Sequence, residues 1–71
     1  MKIEYSKDAD ALYVYFREIE VAKSCEIEEG VVVDLDAQGH LIGIEILDVS
    51  KRLKPHELAN VNIENLPVGI G

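Results

Sequence analysis

The middle of the chain, residues 31–47, alternates between apolar and other residues in two runs separated by a polar segment at residues 36–40. The alternating apolar residues are Val31, Val33, Leu35, Ile42, Ile44 and Ile46. Alternation of this kind is typical of strands with one buried face, and the polar segment predicts a hairpin turn. Pairing Leu35 with Ile42, and so on along the hairpin, puts all six side chains on one face. A one-residue slip would turn one set away, so we predict a central hairpin with a fixed register.

Three shorter strands are predicted before this hairpin, at residues 2–5, 11–16 and 22–28, because their β-branched and aromatic content suits a half-buried sheet. Turn-forming residues separate them at intervals typical of an antiparallel meander. After residue 47 the period changes. Asp48 or Ser50 can cap a short helix, and Pro55 can begin a second helical turn. We therefore predict an α+β fold, with a small antiparallel meander of about five strands and one or two short C-terminal helices.

The length of 71 residues predicts one β-rich domain with its C-terminal helical segment at residues 1–60, followed by a C-terminal tail at residues 61–71. A domain of this size buries only about 60% of its unfolded surface. Cys25 is the only cysteine, so no disulfide within the chain adds stability. The second face of the predicted sheet also carries apolar residues, namely Tyr13, Tyr15, Val32, Leu41 and Leu47. Either the C-terminal segment or another subunit can cover such a face, and we expect a homo-oligomer.

Charge narrows the choice of partners. Fourteen acidic residues against seven Lys and Arg give a formal charge of −7, which repels nucleic acid and anionic membranes and permits a basic protein partner. The sequence contains no apolar core of signal-peptide length and no apolar run of about 20 residues that could span a bilayer. A lone cysteine agrees with a reducing compartment. We expect a cytoplasmic protein with no membrane or nucleic-acid partner.

Residues 34–45 nearly match the calcium-loop pattern D-x-[DN]-x-[DN]-G-x5-E, with Gln38 at one ligand position. That loop needs a helix on each side, whereas the flanking residues here are strand-like. The alternative is a turn in which the Asp36 side chain bonds its own backbone and Gly39 takes a positive φ. We predict the turn, and we predict neither a metal site nor a cofactor.

Glu45 is the acid with the most informative position, because it lies between two isoleucines near the predicted sheet centre, on the face where Tyr13 and Tyr15 point. The predicted hairpin places it opposite Val32 and away from Asp34 and Asp36. A buried carboxyl needs a hydrogen-bond partner, which a tyrosine hydroxyl or Arg17 can supply. Glu45 is then either a structural acid or a ligand-binding group with a raised pKa. The candidate ligand-binding residues are Glu45, Tyr13 and Tyr15, and no catalytic residue is predicted.

Several segments resemble a known family. Residues 10–14 (DALYV), 30–36 (GVVVDLD) and 39–50 (GHLIGIEILDVS), together with Tyr5, are similar to the prokaryotic domain-of-unknown-function family 2283, and the similarity covers roughly residues 1–53. The resemblance implies a small sheet with a C-terminal helix and brings no catalytic residues. Members look like neighbours of small toxin-type proteins in some genomes, which implies an antitoxin-like or partner-binding role.

Two functional hypotheses follow. The first is a small non-enzymatic protein that self-associates through a sheet face or edge and binds a protein partner; its basis is the lack of a convergent polar site. The alternative is a small ligand-binding or enzymatic domain that uses Glu45 with Tyr13 or Tyr15, in a cleft between sheet and helix or between subunits.

Overall fold

Five strands and two one-turn helices make up the fold in the computed structural model, which describes residues 1–65. The elements are β1 (Lys2–Ser6), β2 (Ala11–Tyr15), β3 (Lys23–Glu28), β4 (Val31–Leu35), β5 (Leu41–Leu47), α1 (Val49–Arg52) and α2 (Pro55–Leu58). The predicted α+β class, with five antiparallel strands and two short C-terminal helices, is confirmed. The division into a domain at residues 1–60 and a tail at residues 61–71 stays a prediction, and residues 66–71 lie outside the described residues.

The strands form one antiparallel sheet in the order β1-β2-β5-β4-β3. This order differs from that of a simple meander, because β2 pairs with β5 instead of β3. β5 has the sequence LIGIEIL, and an apolar strand gains most from a central place where neighbours cover both its edges. Residues 16–22 make the longer connection that carries the chain from β2 to the far edge of the sheet.

The central hairpin follows the predicted register over most of its length, with Val31 opposite Ile46 and Val33 opposite Ile44. The predicted pairing of Leu35 with Ile42 is wrong. Leu35 lies opposite Leu41, because the register shifts next to the turn. A bulge of this type leaves one extra residue in one strand. Ile42, which is only 2% exposed, occupies that place.

The turn of this hairpin has the predicted chemistry. The Asp36 carboxylate accepts the backbone N–H groups of Gln38 and His40, both at 2.9 Å, and Gly39 has a φ of 84°. These two hydrogen bonds hold the pKa of Asp36 below its usual range, with the bond from His40 as the larger cause. Strands, not helices, flank the turn, so the segment does not have the architecture of a calcium loop.

Strand register divides the side chains between two faces. The apolar face carries Ile3, Tyr5, Leu12, Val14, Cys25, Val31, Val33, Leu35, Ile44 and Ile46, together with Lys23 and Glu28 at its β3 edge. The acid–tyrosine face carries Lys2, Glu4, Tyr13, Tyr15, Ser24, Glu26, Val32, Asp34, Gly43 and Glu45. Each set alternates with the other along its strands, as the pleat requires.

The buried core of residues 1–65 is small. The hydrophobic residues that are fully buried are Ala11, Ile42 and Val49. The aliphatic side chains at the centre of the apolar face are only half-buried. Most contacts between elements are contacts between paired strands, and the helices add few contacts to this face.

Helix α1 is attached to turns at one end of the sheet. Val49 donates its N–H to the Asp10 carbonyl, and Arg52 donates to the Glu29 carbonyl. The helices therefore leave much of the apolar face open.

Candidate functional site

Two carboxyl groups lie side by side on the acid–tyrosine face, on the adjacent strands β4 and β5. Asp34 is opposite Gly43, and Glu45 is opposite Val32, so the two acids are diagonal neighbours. The predicted position of Glu45 opposite Val32 is confirmed, but the expectation that it lies away from Asp34 is wrong. Val32 and Asp34 alternate onto the same face, and that alternation already contained the signal for this contact.

Asp34 is nearly inaccessible, with 2% of its surface exposed. The hydroxyl of Ser24 on β3 donates a hydrogen bond of 2.7 Å to its carboxylate. Gly43 allows this packing, because a Cβ there would lie 2.9 Å from the Val14 carbonyl oxygen and 3.7 Å from the Asp34 carboxylate. The buried acid is thus satisfied from both sides of its strand, by Ser24 on β3 and by Glu45 on β5.

The environment of Glu45 favours its protonated form. Its hydrogen bond to Asp34, together with burial and the negative charge of Asp34, raises the pKa of Glu45 to about 7. Two adjacent carboxylates repel each other in a partly buried site, so one of them holds a proton. Protonated Glu45 donates to Asp34, and this proton is gained or lost near neutral pH.

Two tyrosines accompany the acid pair. Tyr13 lies opposite Glu45 on β2, and its ring stacks on that of Tyr15 at a centroid distance of 6.2 Å and an interplanar angle of 10°. Burial, followed by the negative charges of Glu4 and Glu45, raises the pKa of Tyr15. The three candidate residues Glu45, Tyr13 and Tyr15 therefore share one face of the sheet, and their role in binding a ligand stays a prediction.

Arg17 does not reach Glu45. Its guanidinium contacts the Asp36 carboxylate at the hairpin turn, at 3.3 Å. The idea that Arg17 satisfies Glu45 is wrong, because Asp34 already occupies that role. Arg17 lies beyond the end of β2, where the chain leaves the sheet next to the turn.

The groove between the sheet and the helices has a volume of about 500 Å³ and is lined by Tyr5, Ser50, Leu53, Pro55, Leu58 and Ala59. Tyr5 belongs to the apolar face, whereas Tyr13 and Glu45 belong to the opposite face. A site at Glu45 would therefore lie on the open acid–tyrosine face or between subunits, and not between sheet and helix.

A second polar cluster joins the first turn of the chain to α1. The Asp10 carboxylate accepts the Ser50 hydroxyl at 2.7 Å, the Ser50 backbone N–H at 3.1 Å and the Tyr5 hydroxyl at 3.1 Å. The prediction that Asp48 occupies the N-cap of the helix is confirmed, but its side chain makes no capping bond. Asp10, 40 residues earlier in the chain, caps the helix instead. The Ser50 hydroxyl is the main cause that holds the pKa of Asp10 below its usual range.

This Asp10 cluster is structural in character. All of its polar groups are paired with one another, and a carboxylate with a lowered pKa is a weak base for activating a hydroxyl. The two partners lie in the segments DALYV and GHLIGIEILDVS that carried the family resemblance. The contact joins residues 40 positions apart, so no local sequence pattern indicates it.

Metal binding finds little support in the geometry. Asp34 contacts Ser24 and Glu45, while Asp36 contacts the turn backbone and Arg17, so their carboxylates serve different partners. Across residues 1–65, no group of three or more His, Cys, Asp and Glu side chains converges on a possible ion position. Neither helix in the same part of the chain has the length and apolar character needed to cross a bilayer.

Together, the sheet and its acid pair define a small α+β protein with one open antiparallel sheet. Residues 2–50 match the model of a family described as "Protein of unknown function (DUF2283)", and the chain belongs to this family. An uncharacterised protein of Methanocaldococcus jannaschii is 35% identical over 51 residues, which cover 72% of this chain and 43% of that protein. The chain thus spans less than half the length of this relative. No solved structure gives a significant match.

Proposed function

We propose that this protein acts through self-association and not through catalysis, with a second copy covering the apolar face of the sheet. The observation that carries the proposal is the small core: three hydrophobic side chains are fully buried in residues 1–65, while the central aliphatic side chains of the apolar face stay half-buried. A domain of this size gains little stability from its own core, and oligomerisation is a common remedy.

Charge favours a second copy as the occupant. The chain carries a net charge of −7, so most of its surface repels another copy. The centre of the apolar face is the exception, because its residues on β2, β4 and β5 carry no formal charge, and the charged residues at its β3 edge, Lys23 and Glu28, have opposite signs. A twofold axis brings the same patch of each copy together, and an uncharged apolar patch is complementary to itself.

Two neighbouring valines of β4 provide a matched test. Val33 lies on the apolar face and Val32 on the acid–tyrosine face, and both are half-buried. Val33→Thr places a hydroxyl in the proposed interface while keeping the β-branched shape, and we expect a dissociation constant at least about tenfold higher in sedimentation velocity. Val32→Thr should leave it unchanged. A wild-type chain that stays monomeric at about 100 µM, or equal effects of the two variants, would overturn the proposal.

The shared proton of Glu45 and Asp34 favours a second candidate function, a ligand-binding or enzymatic site on the acid–tyrosine face. A carboxyl with a pKa near 7 is suited to giving or taking a proton at neutral pH. NMR spectra recorded during a small-molecule screen would test it: a ligand should move the ring signals of Tyr13 and Tyr15, and Glu45→Gln should abolish the response. A screen that moves neither tyrosine, or an unchanged response in the variant, would count against this site.

The first proposal also includes binding to a protein partner, of which only the charge of the contacting surface is specified. The net charge of −7 fits a basic partner surface. The family description and the relative from Methanocaldococcus jannaschii name no partner. The antitoxin-like role therefore has no support beyond the resemblance and is not included in the proposal.

A further inference from the structure

The two outer strands of the sheet differ in how well their edges are protected. β1 and β3 occupy the ends of the strand order, and each has one strand neighbour in the described part of the chain. An open edge presents unpaired backbone N–H and C=O groups that can pair with another strand. Proteins usually blunt such edges with bulges or charge.

β3 has a blunted edge. Its register against β4 shifts between Glu26 and Glu28, which marks a bulge. Arg52 contacts Glu28 at 3.4 Å and bonds to the Glu29 carbonyl, so the end of this strand is also engaged by α1. Pairing of two β3 strands about Glu26 would place like charges opposite each other, which is destabilising.

β1 has no bulge, and its two charged residues have opposite signs. Its five residues pair regularly with β2, and its apolar-face residues Ile3 and Tyr5 are 43% and 45% exposed. Lys2 and Glu4 lie on the other face, and about half of each side chain is exposed. The Lys2 Nζ atom is 3.8 Å from the Glu4 Oε2 atom. The strand thus combines exposed apolar side chains with one charge of each sign.

We propose that two copies pair edge to edge through β1, antiparallel about Ile3, to form one continuous ten-stranded sheet from two five-stranded ones. In this register Lys2 lies opposite the partner subunit's Glu4, and Glu4 lies opposite the partner subunit's Lys2. Opposite charges directly across a ladder stabilise it. The pairing also keeps the apolar faces of both copies on the same side.

Charge selects this register over its neighbours. An axis at Lys2 would set two lysines against each other, and an axis at Glu4 would set two glutamates against each other. An axis at Ile3 sets isoleucine against isoleucine and forms two ion pairs. This edge contact goes beyond the proposed function, because it does not require the apolar faces to be covered.

A spin label at position 26, introduced by Glu26→Cys together with Cys25→Ser, distinguishes the edge contact from stacked faces. Glu26 is exposed on β3, at the far edge from β1, and lies on the acid–tyrosine face, so the label does not enter the apolar face. Across the continuous sheet, nine strand spacings of about 4.8 Å place the two labels about 40 Å apart. Stacked faces lie about 10 Å apart and would bring the labels within about 30 Å. A pulsed dipolar measurement on the full chain should therefore show a separation near 40 Å.

Charge reversal then tests the register. Lys2→Glu and Glu4→Lys should each reduce the long-distance signal at least about fivefold, and the double variant should restore it. Lys23→Glu on β3 and Glu20→Lys just before it make the same changes in net charge and should have no effect. If net charge alone governed association, Glu4→Lys would strengthen it. These side chains are exposed, so the variants should fold, which circular dichroism confirms.

Three results would overturn the edge contact: no signal near 40 Å in the wild-type chain, single reversals without effect, or a double variant that stays dissociated. A short distance alone would contradict the edge contact and support stacked faces. A distance near 40 Å, with a dissociation constant that Val33→Thr does not change, would support the edge contact and contradict stacked faces.

Discussion

The two faces of the sheet differ in how completely the chain buries their central side chains. On the acid–tyrosine face, Asp34 is 2% exposed and has its partners within the chain, in Ser24 and Glu45. On the apolar face, aliphatic side chains such as Val33 and Ile44 remain half-buried after the chain has folded. The polar groups of the first face are satisfied within the chain, whereas the second face leaves apolar surface in contact with solvent. A buried polar group needs only one or two hydrogen-bond partners, but apolar side chains are removed from water only by packing over a large area.

The largest expected effect is on the acid–tyrosine face, at Gly43. A Cβ in Gly43→Ala would lie 2.9 Å from the Val14 backbone carbonyl, so the central strands must move apart. We expect urea unfolding to show a loss of about 2–3 kcal/mol, which is the range for overpacking.

The matched control is Gly39→Ala at the hairpin turn. No atom lies within 4 Å of a Cβ there, and only the φ of 84° opposes the change. That strain should cost about 1 kcal/mol. If the two variants lose equal stability, the tight packing around Gly43 is not the reason for its place in the sheet.

A smaller effect concerns pH. The pKa of Glu45 in the folded chain, about 7, lies above its ordinary value of 4.5. The folded state therefore binds the proton more tightly, and the stability that this provides is full below about pH 4.5 and is lost as pH rises through about 7. Because Glu45 is partly exposed, solvent screening reduces the effect to about 1–2 kcal/mol.

Urea unfolding between about pH 5 and pH 8 measures this loss. Glu45→Gln cannot titrate and should remove the slope, while keeping a hydrogen bond to Asp34. A wild-type chain with constant stability over this range, or a variant that retains the slope, would show that the two acids do not share a proton.

The smallest effect is expected at the Asp10 cluster, which titrates in the opposite direction. Its folded pKa is lowered, so its contribution is present above the ordinary value of 3.8 and is lost as pH falls through the folded value. Asp10→Asn should reduce stability at neutral pH by less than Gly43→Ala does, and the difference from wild type should vanish in acid. Asp8→Asn, the same change in the same turn, is the control. An equal effect of the two variants would contradict the capping role of Asp10.

Local alternation predicted the parts of this fold that depend on near neighbours. The hairpin, the turn at Asp36 and Gly39, and the placement of Glu45 with Tyr13 all follow from the period of two along each strand. The strand order did not follow, because the pairing of β2 with β5 depends on distant parts of the chain. The bulge at Ile42 was missed because alternation alone gives no sign of an extra residue.

The candidate site was predicted only in part. The alternation along β2 and β5 predicts that Glu45 shares a face with the two tyrosines, whereas the acid pair is a diagonal contact between residues that are not directly opposite in the ladder. The contact between Asp10 and Ser50 joins residues 40 positions apart, and no local pattern encodes it. Only this second contact depends on how distant parts of the chain are arranged, because the acid pair lies within the predicted hairpin.

The central claim is that a second copy completes the burial that this chain begins. The most direct test is the thermal unfolding midpoint as a function of protein concentration at constant pH. If folded copies associate and unfolded chains do not, raising the concentration about 100-fold adds about 2.7 kcal/mol per dimer and raises the midpoint by about 5–10 °C. A midpoint that stays constant over that range would show that the monomer is complete by itself and would contradict the account.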